Sequence, residues 1–176
     1  MAGQGPAQGR AQGQAQMQVQ VNSDGALRLI TLPGAEAGWQ LTLDDVSALR
    51  AALLQPVAAD ERLIVLAGEG EHFCRGRKPG PPPPGPSANL RIRDGVARPI
   101  LDLYAAVVAA PLPVLAAVRG EATGFGCALA GACDLVYADG AARFSLPELD
   151  KGVPPALAMR ALARHVPPKR LAEWVL

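Results

Sequence analysis

The sequence predicts a single α/β domain, and three features carry that prediction. Two uninterrupted apolar runs, Leu63-Ile64-Val65-Leu66-Ala67 and Val114-Leu115-Ala116-Ala117-Val118, read as strands covered on both faces, the habit of a parallel sheet. Segments of helical spacing lie before each of them. A glycine-rich turn, Gly124-Phe125-Gly126, follows the second strand and opens a run of small helix-forming residues, Cys127 to Ala132.

The elements follow in order. Met1 to Gln16 is a Gly/Gln/Ala tract with nothing to bury, which reads as a flexible tail ahead of a domain spanning 17–176. Met17-Gln-Val-Gln-Val alternates, Asp24-Gly25 is a hairpin signal, and Ala26 to Leu32 resumes strand character. Thr42 caps an amphipathic helix to about Leu54, with Asp44 and Asp45 in its first turn and Val46, Leu49, Leu53 and Leu54 apolar. Beyond the first covered strand, Pro79 to Pro86 holds six prolines, so it can be neither helix nor central strand and reads as an extended, exposed loop. Val96 to Ala110 reads as a helix burying Ile100, Leu101, Leu103, Tyr104 and Val107, stopped by Pro111-Leu112-Pro113. After the glycine-rich turn come short strands at Leu135-Val136-Tyr137 and Ala141 to Leu146, then a final helix from Pro168 to Leu176. No internal repeat is visible.

Bulk properties narrow the function. A net charge of +1 supplies no long-range field toward nucleic acid or an anionic membrane. No segment reaches the roughly 18 apolar residues of a membrane span, so a cytoplasmic protein is expected. Cys74, Cys127 and Cys133 lie in apolar or glycine-rich contexts without zinc spacing and read as buried free thiols; no metal is expected.

The glycine-rich turn carries the chemistry. A turn of this kind at a helix start leaves backbone N–H groups unpaired beside the positive end of the helix dipole, which suits an anion or an oxygen becoming one. Spacing alone also fits a tight packing turn. It is not a dinucleotide fingerprint, which needs Gly-x-Gly-x-x-Gly after the first strand, and no Gly-Lys-Ser/Thr follows to make a phosphate loop.

Taken together, Pro113 to Gly120, Gly124 to Ala130, Cys133-Asp134-Leu135, and Phe144-Ser145-Leu146-Pro147-Glu148-Leu149 with Gly152 resemble the enoyl-CoA hydratase/isomerase family, the crotonases. Phe73-Cys74-Arg75-Gly76-Arg77 is similar to the family's earlier motif, usually Phe-x-Ala-Gly-x-Asp. The resemblance spans roughly 17–176 and implies the ClpP/crotonase ββα spiral fold.

It further implies an acyl-CoA thioester partner whose carbonyl lies between two backbone N–H groups, here those of Arg77 and Phe125, that stabilise an enolate. Each such donor contributes on the order of 3 kcal/mol to the transition state. Coenzyme A is then part of the substrate and no separate cofactor is implied. Family hydratases use two acids; one position is Glu148 here, and the other is Ala128. One carboxylate that takes and returns a proton suits isomerisation better than hydration.

Glu121, on the approach to the glycine-rich turn, is a candidate second acid, set against an ordinary loop charge. Arg75, Arg77 and Lys78, with Gly76, Gly124 and Gly126, form the expected CoA and substrate-binding set, although a basic run is as often simply solvated. Lys78 stands where the family usually has Asp. Asp134 reads as a backbone cap rather than a catalyst, and His72 and His165 read as surface residues without partners. Family members continue into helices that support a trimer or a dimer of trimers; by resemblance the sequence is expected to stop short of those helices at Leu176, as a truncated form or with a partner covering the apolar face, and a homo-oligomer is expected. The rival readings are a thioester hydrolase or decarboxylase on the same scaffold, and a catalytically silent thioester-binding protein.

Overall fold

The computed structural model describes residues 19–81 and 85–175, so the flexible-tail expectation for 1–16 and the middle of the proline run lie outside the described residues. Strands β1 (Gln20–Asp24) and β2 (Leu27–Leu32) form the expected hairpin, paired from Gln20↔Thr31 to Asp24↔Leu27. Helix α1 (Leu43–Leu53) follows the capping box that Thr42 and Asp45 make: the Asp45 N–H donates to Thr42 Oγ1 at 3.1 Å, and the Thr42 N–H donates to Asp45 Oδ2 at 2.9 Å. Strand β3 (Leu63–Gly68) then joins β2 in parallel.

The next helical stretch begins earlier than periodicity suggested. Ser87 caps α2 (Ala88–Ile92), a π turn covers Arg93–Ala97, and α3 runs Arg98–Ala109. Pro99, near the start of α3, has no N–H to give to the preceding turn, and the wider turn accommodates it. Helix α3 buries Ile100, Leu103, Tyr104, Ala106 and Val107, while Leu101, expected inside, is 38% exposed. Strand β4 (Val114–Val118) is followed by a strand that the sequence reading missed, β5 (Glu121–Thr123), and then by α4 (Phe125–Ala132). Strands β6 (Leu135–Ala138) and β7 (Arg143–Ser145) precede α5 (Ala156–Leu162), also missed, and α6 (Pro168–Val175).

The larger sheet has the order β1-β2-β3-β4-β6, parallel from β2 onward. Its core face is buried through Ile64, Leu66, Val114, Ala116 and Val118, whereas Val65 and Leu115 on the other face are only half-buried. The strands β3 and β4 are thus sealed on one face rather than on both. Exposed Leu135 and Tyr137 continue the open character along β6.

A smaller second layer pairs β5 with β7 in parallel and extends through single bridges Cys74↔Ala122 and Leu41↔Arg77. The ββα spiral that the resemblance implied is visible in two successive units. β4, β5 and α4 form one ββα unit, and β6, β7 and α5 form the next, each sending one strand to each layer. Because the short strands stack side by side, their exits at Arg77, Thr123 and Ser145 are brought to one edge.

Away from that edge, Arg28 is 2% exposed and fully engaged. It pairs with Glu61 through both Nε and Nη2 and donates to the carbonyls of Ala52, Gln55 and Pro56, closing the C-terminal end of α1 onto β2. Those contacts satisfy one carbonyl of the last helical turn and two just beyond the helix with a buried cation.

Candidate active site

The backbone builds the site before any side chain enters. The Thr123 N–H donates to the Cys74 carbonyl at 2.9 Å, and the Gly124 N–H donates to the Ser145 carbonyl at 2.8 Å, so three chain segments are tied together. The Leu41 N–H donates to the Gly76 carbonyl at 3.1 Å and the Lys78 N–H to the Leu41 carbonyl at 2.8 Å, holding Arg77 between them. Among the described residues, the N–H groups of Arg77 and Phe125 donate to no protein acceptor. Phe125 is the first residue of α4, where an unpaired N–H is inherent to helix geometry.

Two glycines set the tolerances. Gly124 adopts φ 55 and ψ −113, a region closed to side chains, and a Cβ there would lie 3.0 Å from Glu148 Oε1. A Cβ on Gly126 would lie 2.1 Å from the Cys74 carbonyl oxygen. The turn therefore requires glycine to bring α4 against the Cys74 segment.

Arg75, Gly76, Arg77, Gly124, Phe125 and Glu148 line one cavity of about 390 Å³. This lies in the size range of ligand pockets, roughly 300–1,000 Å³. Ala128 also lines it, fully buried, at the position where a second carboxylate was sought. Pro147 leads Glu148 in from β7, and Leu157 and Ala158 on the unforeseen α5 form part of the wall. Glu148 is half-buried, and its Oε2 is buried without a hydrogen-bond partner among the described residues.

Other sequence-derived candidates fall elsewhere. Glu121 does not line the cavity; its carboxylate pairs with the Arg75 Nε at 2.7 Å at a partly exposed site. The arrangement makes it a partner of Arg75 and takes it away from a second-acid position. Lys78 is exposed and Gly126 is buried, and neither is among the cavity residues. Asp134 takes the structural role: its Oδ2 accepts from the Val114 N–H at 2.9 Å, and Arg164 lies 3.3 Å from its Oδ1. His72 is not partnerless, since its Nδ1 accepts the Glu121 N–H at 3.1 Å and its ring meets Trp39 edge-on at 4.7 Å. Among the described residues no group of acids, histidines and cysteines has metal-binding geometry.

All three cysteines are buried and free. Burial pushes the thiols of Cys74 and Cys133 up to about 12 and that of Cys127 up to about 11, the last with help from the Glu148 charge. None has the depressed ionisation of a nucleophile.

Tyr104 is the residue that sequence reasoning left in the core. It lines the cavity from α3, and its ring stacks on Phe125 at 6.3 Å between centroids and 22° between planes. Burial, and after it the charge of Glu148, push its hydroxyl well above the ordinary tyrosine value. As one of only two tyrosines, on an otherwise aliphatic buried face, it offered a signal.

Residues 26–176 match the family model described as enoyl-CoA hydratase/isomerase. The chain belongs to that family. Among curated enoyl-CoA hydratase/isomerase relatives, a probable enoyl-CoA hydratase of Rhizobium meliloti is 33% identical over 159 residues, covering 89% of this chain and 60% of the relative. A probable enoyl-CoA hydratase of Rhodobacter capsulatus is 39% identical over 93 residues, covering 53% of this chain and 35% of its own length. A crystal structure of an enoyl-CoA hydratase from Mycobacterium smegmatis superposes with a TM-score of 0.76 at 29% identity, covering 90% of this chain and 62% of that one. The fold is therefore the crotonase fold, and the chain spans from about a third to 60% of the length of these curated relatives. None of its described helices is long and apolar enough to cross a membrane.

Proposed function

We propose that the chain binds an acyl-CoA thioester and shifts a double bond within it by a single-carboxylate proton transfer. The observation that carries this reading is Glu148 sharing one cavity with Arg77 and Phe125, whose N–H groups donate to no described protein acceptor, while Ala128 occupies the second-acid position. With a 3-enoyl thioester, the Glu148 carboxylate takes a proton from C2. The released electron pair moves onto the thioester oxygen, which the two N–H groups stabilise as an enolate. The protonated Glu148 then returns the proton to C4, and the double bond ends between C2 and C3. Arg75 and Arg77, which line the cavity, suit the phosphates of the CoA portion.

The expected assembly is a homo-oligomer. The names of related enoyl-CoA hydratases support an enoyl substrate class. The test is Glu148→Gln, assayed with 2-enoyl- and 3-enoyl-CoA beside the unaltered chain. A loss of roughly 10²–10⁴-fold is expected for a removed acid/base. Unaltered turnover refutes the assignment. Binding of CoA thioesters without turnover by the unaltered chain favours a silent binding protein instead.

A further inference from the structure

A second cavity, of about 360 Å³, shares no lining residue with the one that holds Glu148. Its volume falls within the range of small-molecule sites, roughly 300–1,000 Å³. It lies where β3, β4 and β6 end, at Gly68, Val118 and Ala138, and open α/β sheets favour ligands in the crevice outside the carboxyl ends of their strands. The proton shift proposed above makes no use of it.

The strand register builds its floor. Ala67, Ala117 and Tyr137 are aligned across three neighbouring parallel strands and all line the cavity. Two methyl groups followed by a phenol make a shelf two strand spacings wide, about 10 Å, that ends at the Tyr137 ring, 72% exposed. A flat aromatic group fits over the alanines and against that ring.

The rim is polar. Arg119 and Asp139 each stand one residue beyond a registered pair, Val118↔Ala138, so their charges flank the same crevice without pairing with each other. The Arg119 guanidinium has no partner among the described residues, which leaves its whole fork for an anion. Asp139 Oδ1 accepts the Ala141 N–H at 2.9 Å, fixing the carboxylate while Oδ2 keeps its acceptor capacity. His72 accepts the Glu121 N–H at Nδ1, so the ring carries its proton on Nε2 and has that donor left to give. Its place is rigid: a Cβ on Gly120 would lie 2.5 Å from Nδ1, and Trp39 meets the ring edge-on.

We propose that this cavity binds a nucleoside monophosphate. The base lies on the alanine shelf against Tyr137, the phosphate takes Arg119 and the His72 Nε2–H, and a ribose hydroxyl donates to Asp139. A flat ring, an anion and a hydroxyl are the three features the walls call for, and a nucleotide carries all of them. The inference stands apart from the acyl-thioester reading, because the two cavities have separate walls.

Calorimetric titration of the whole chain with AMP tests it, beside adenosine, inorganic phosphate and 2′,3′-dideoxy-AMP. AMP is expected to bind one site saturably, and each of the other three roughly tenfold or more weakly. Arg119→Gln and Tyr137→Leu are each expected to weaken AMP roughly tenfold, with thermal melting confirming that both variants fold. Saturating butanoyl-CoA is expected to leave AMP bound. The proposal is overturned by the absence of saturable AMP binding below about 1 mM, by phosphate binding as tightly as AMP, or by undiminished binding in both variants. Displacement of AMP by butanoyl-CoA also overturns it, since the nucleotide would then occupy the thioester cavity. Loss of turnover in Glu148→Gln bears only on the thioester reading, and failure of AMP to bind bears only on this one.

Discussion

Replacing Gly126 by alanine tests the join on which the proposed chemistry depends. The added carbon would lie 2.1 Å from the Cys74 carbonyl oxygen and 2.8 Å from the Cys74 carbonyl carbon and Cβ. Comfortable contact is about 3.5 Å, so the overlap with the oxygen exceeds about 1 Å. The obstructing atoms include backbone, which cannot swing aside as a flexible side chain does. The Cys74 to Arg77 segment and the start of α4 must therefore separate. Overpacking of this kind costs ~2–3 kcal/mol. At about 2–4 °C per kcal/mol for a chain of this size, the melting temperature should fall by roughly 4–12 °C. The two segments also carry the proposed donors, and a displacement of about 1 Å costs on the order of 100-fold in rate. Calorimetry and thioester turnover read the two effects. Gly126→Ala melting within a degree of the unaltered chain, with full turnover, would refute the claim that these segments are pressed together.

Two further outcomes follow from buried charges and thiols. The hydrogen bond from Arg28, with those from Ala58 N–H and Ser23, holds the Glu61 carboxyl down at about 2, against an ordinary 4.5. A depressed carboxyl contributes stability above its unfolded value and loses it as pH falls through the folded one. The melting-temperature gap between the unaltered chain and Glu61→Gln should therefore be full at pH 6 and shrink between pH 4.5 and 2; a gap constant across that window would contradict the buried pair. With their thiols pushed up to about 12, Cys74 and Cys133 should resist alkylation at pH 8, where only about one in ten thousand would be ionised, and react on unfolding. Mass spectrometry of alkylated protein reads this directly, and rapid labelling of folded Cys74 would contradict its burial.

How much of this was legible beforehand depends on the length of the element concerned. The hairpin, α1, β3 and β4 were readable because several residues repeat one period and a cap or turn bounds them. β5 is three residues long, and its pairing partner β7 is twenty residues away, so no local pattern announces it. α5 hides behind Pro154-Pro155, which reads as a break, although proline is compatible with a helix start. The cavity divides along the same length scale. Glu148, Arg77 and Phe125 were found through motifs, whereas Tyr104 and Leu157 reach it from helix faces that look like ordinary core. Leu101 went wrong for the complementary reason, because a helix stripe drawn from sequence is wider than the face that α3 buries.

The second layer, built from three-residue strands and single bridges, also bears on how such a site can diversify. Its successive exits lead to the residues of the proposed site: Arg77 after Cys74, Phe125 after Thr123, and Glu148 after Ser145. The ladder positions backbone and leaves the residue just past each exit chemically open. Reaction type is thereby separable from architecture, as a socket is from the tool it holds. Ala128 and Glu148 lie on different turns of the spiral, so under the proposed reading the two acid positions belong to separate ββα units of the same sheet framework.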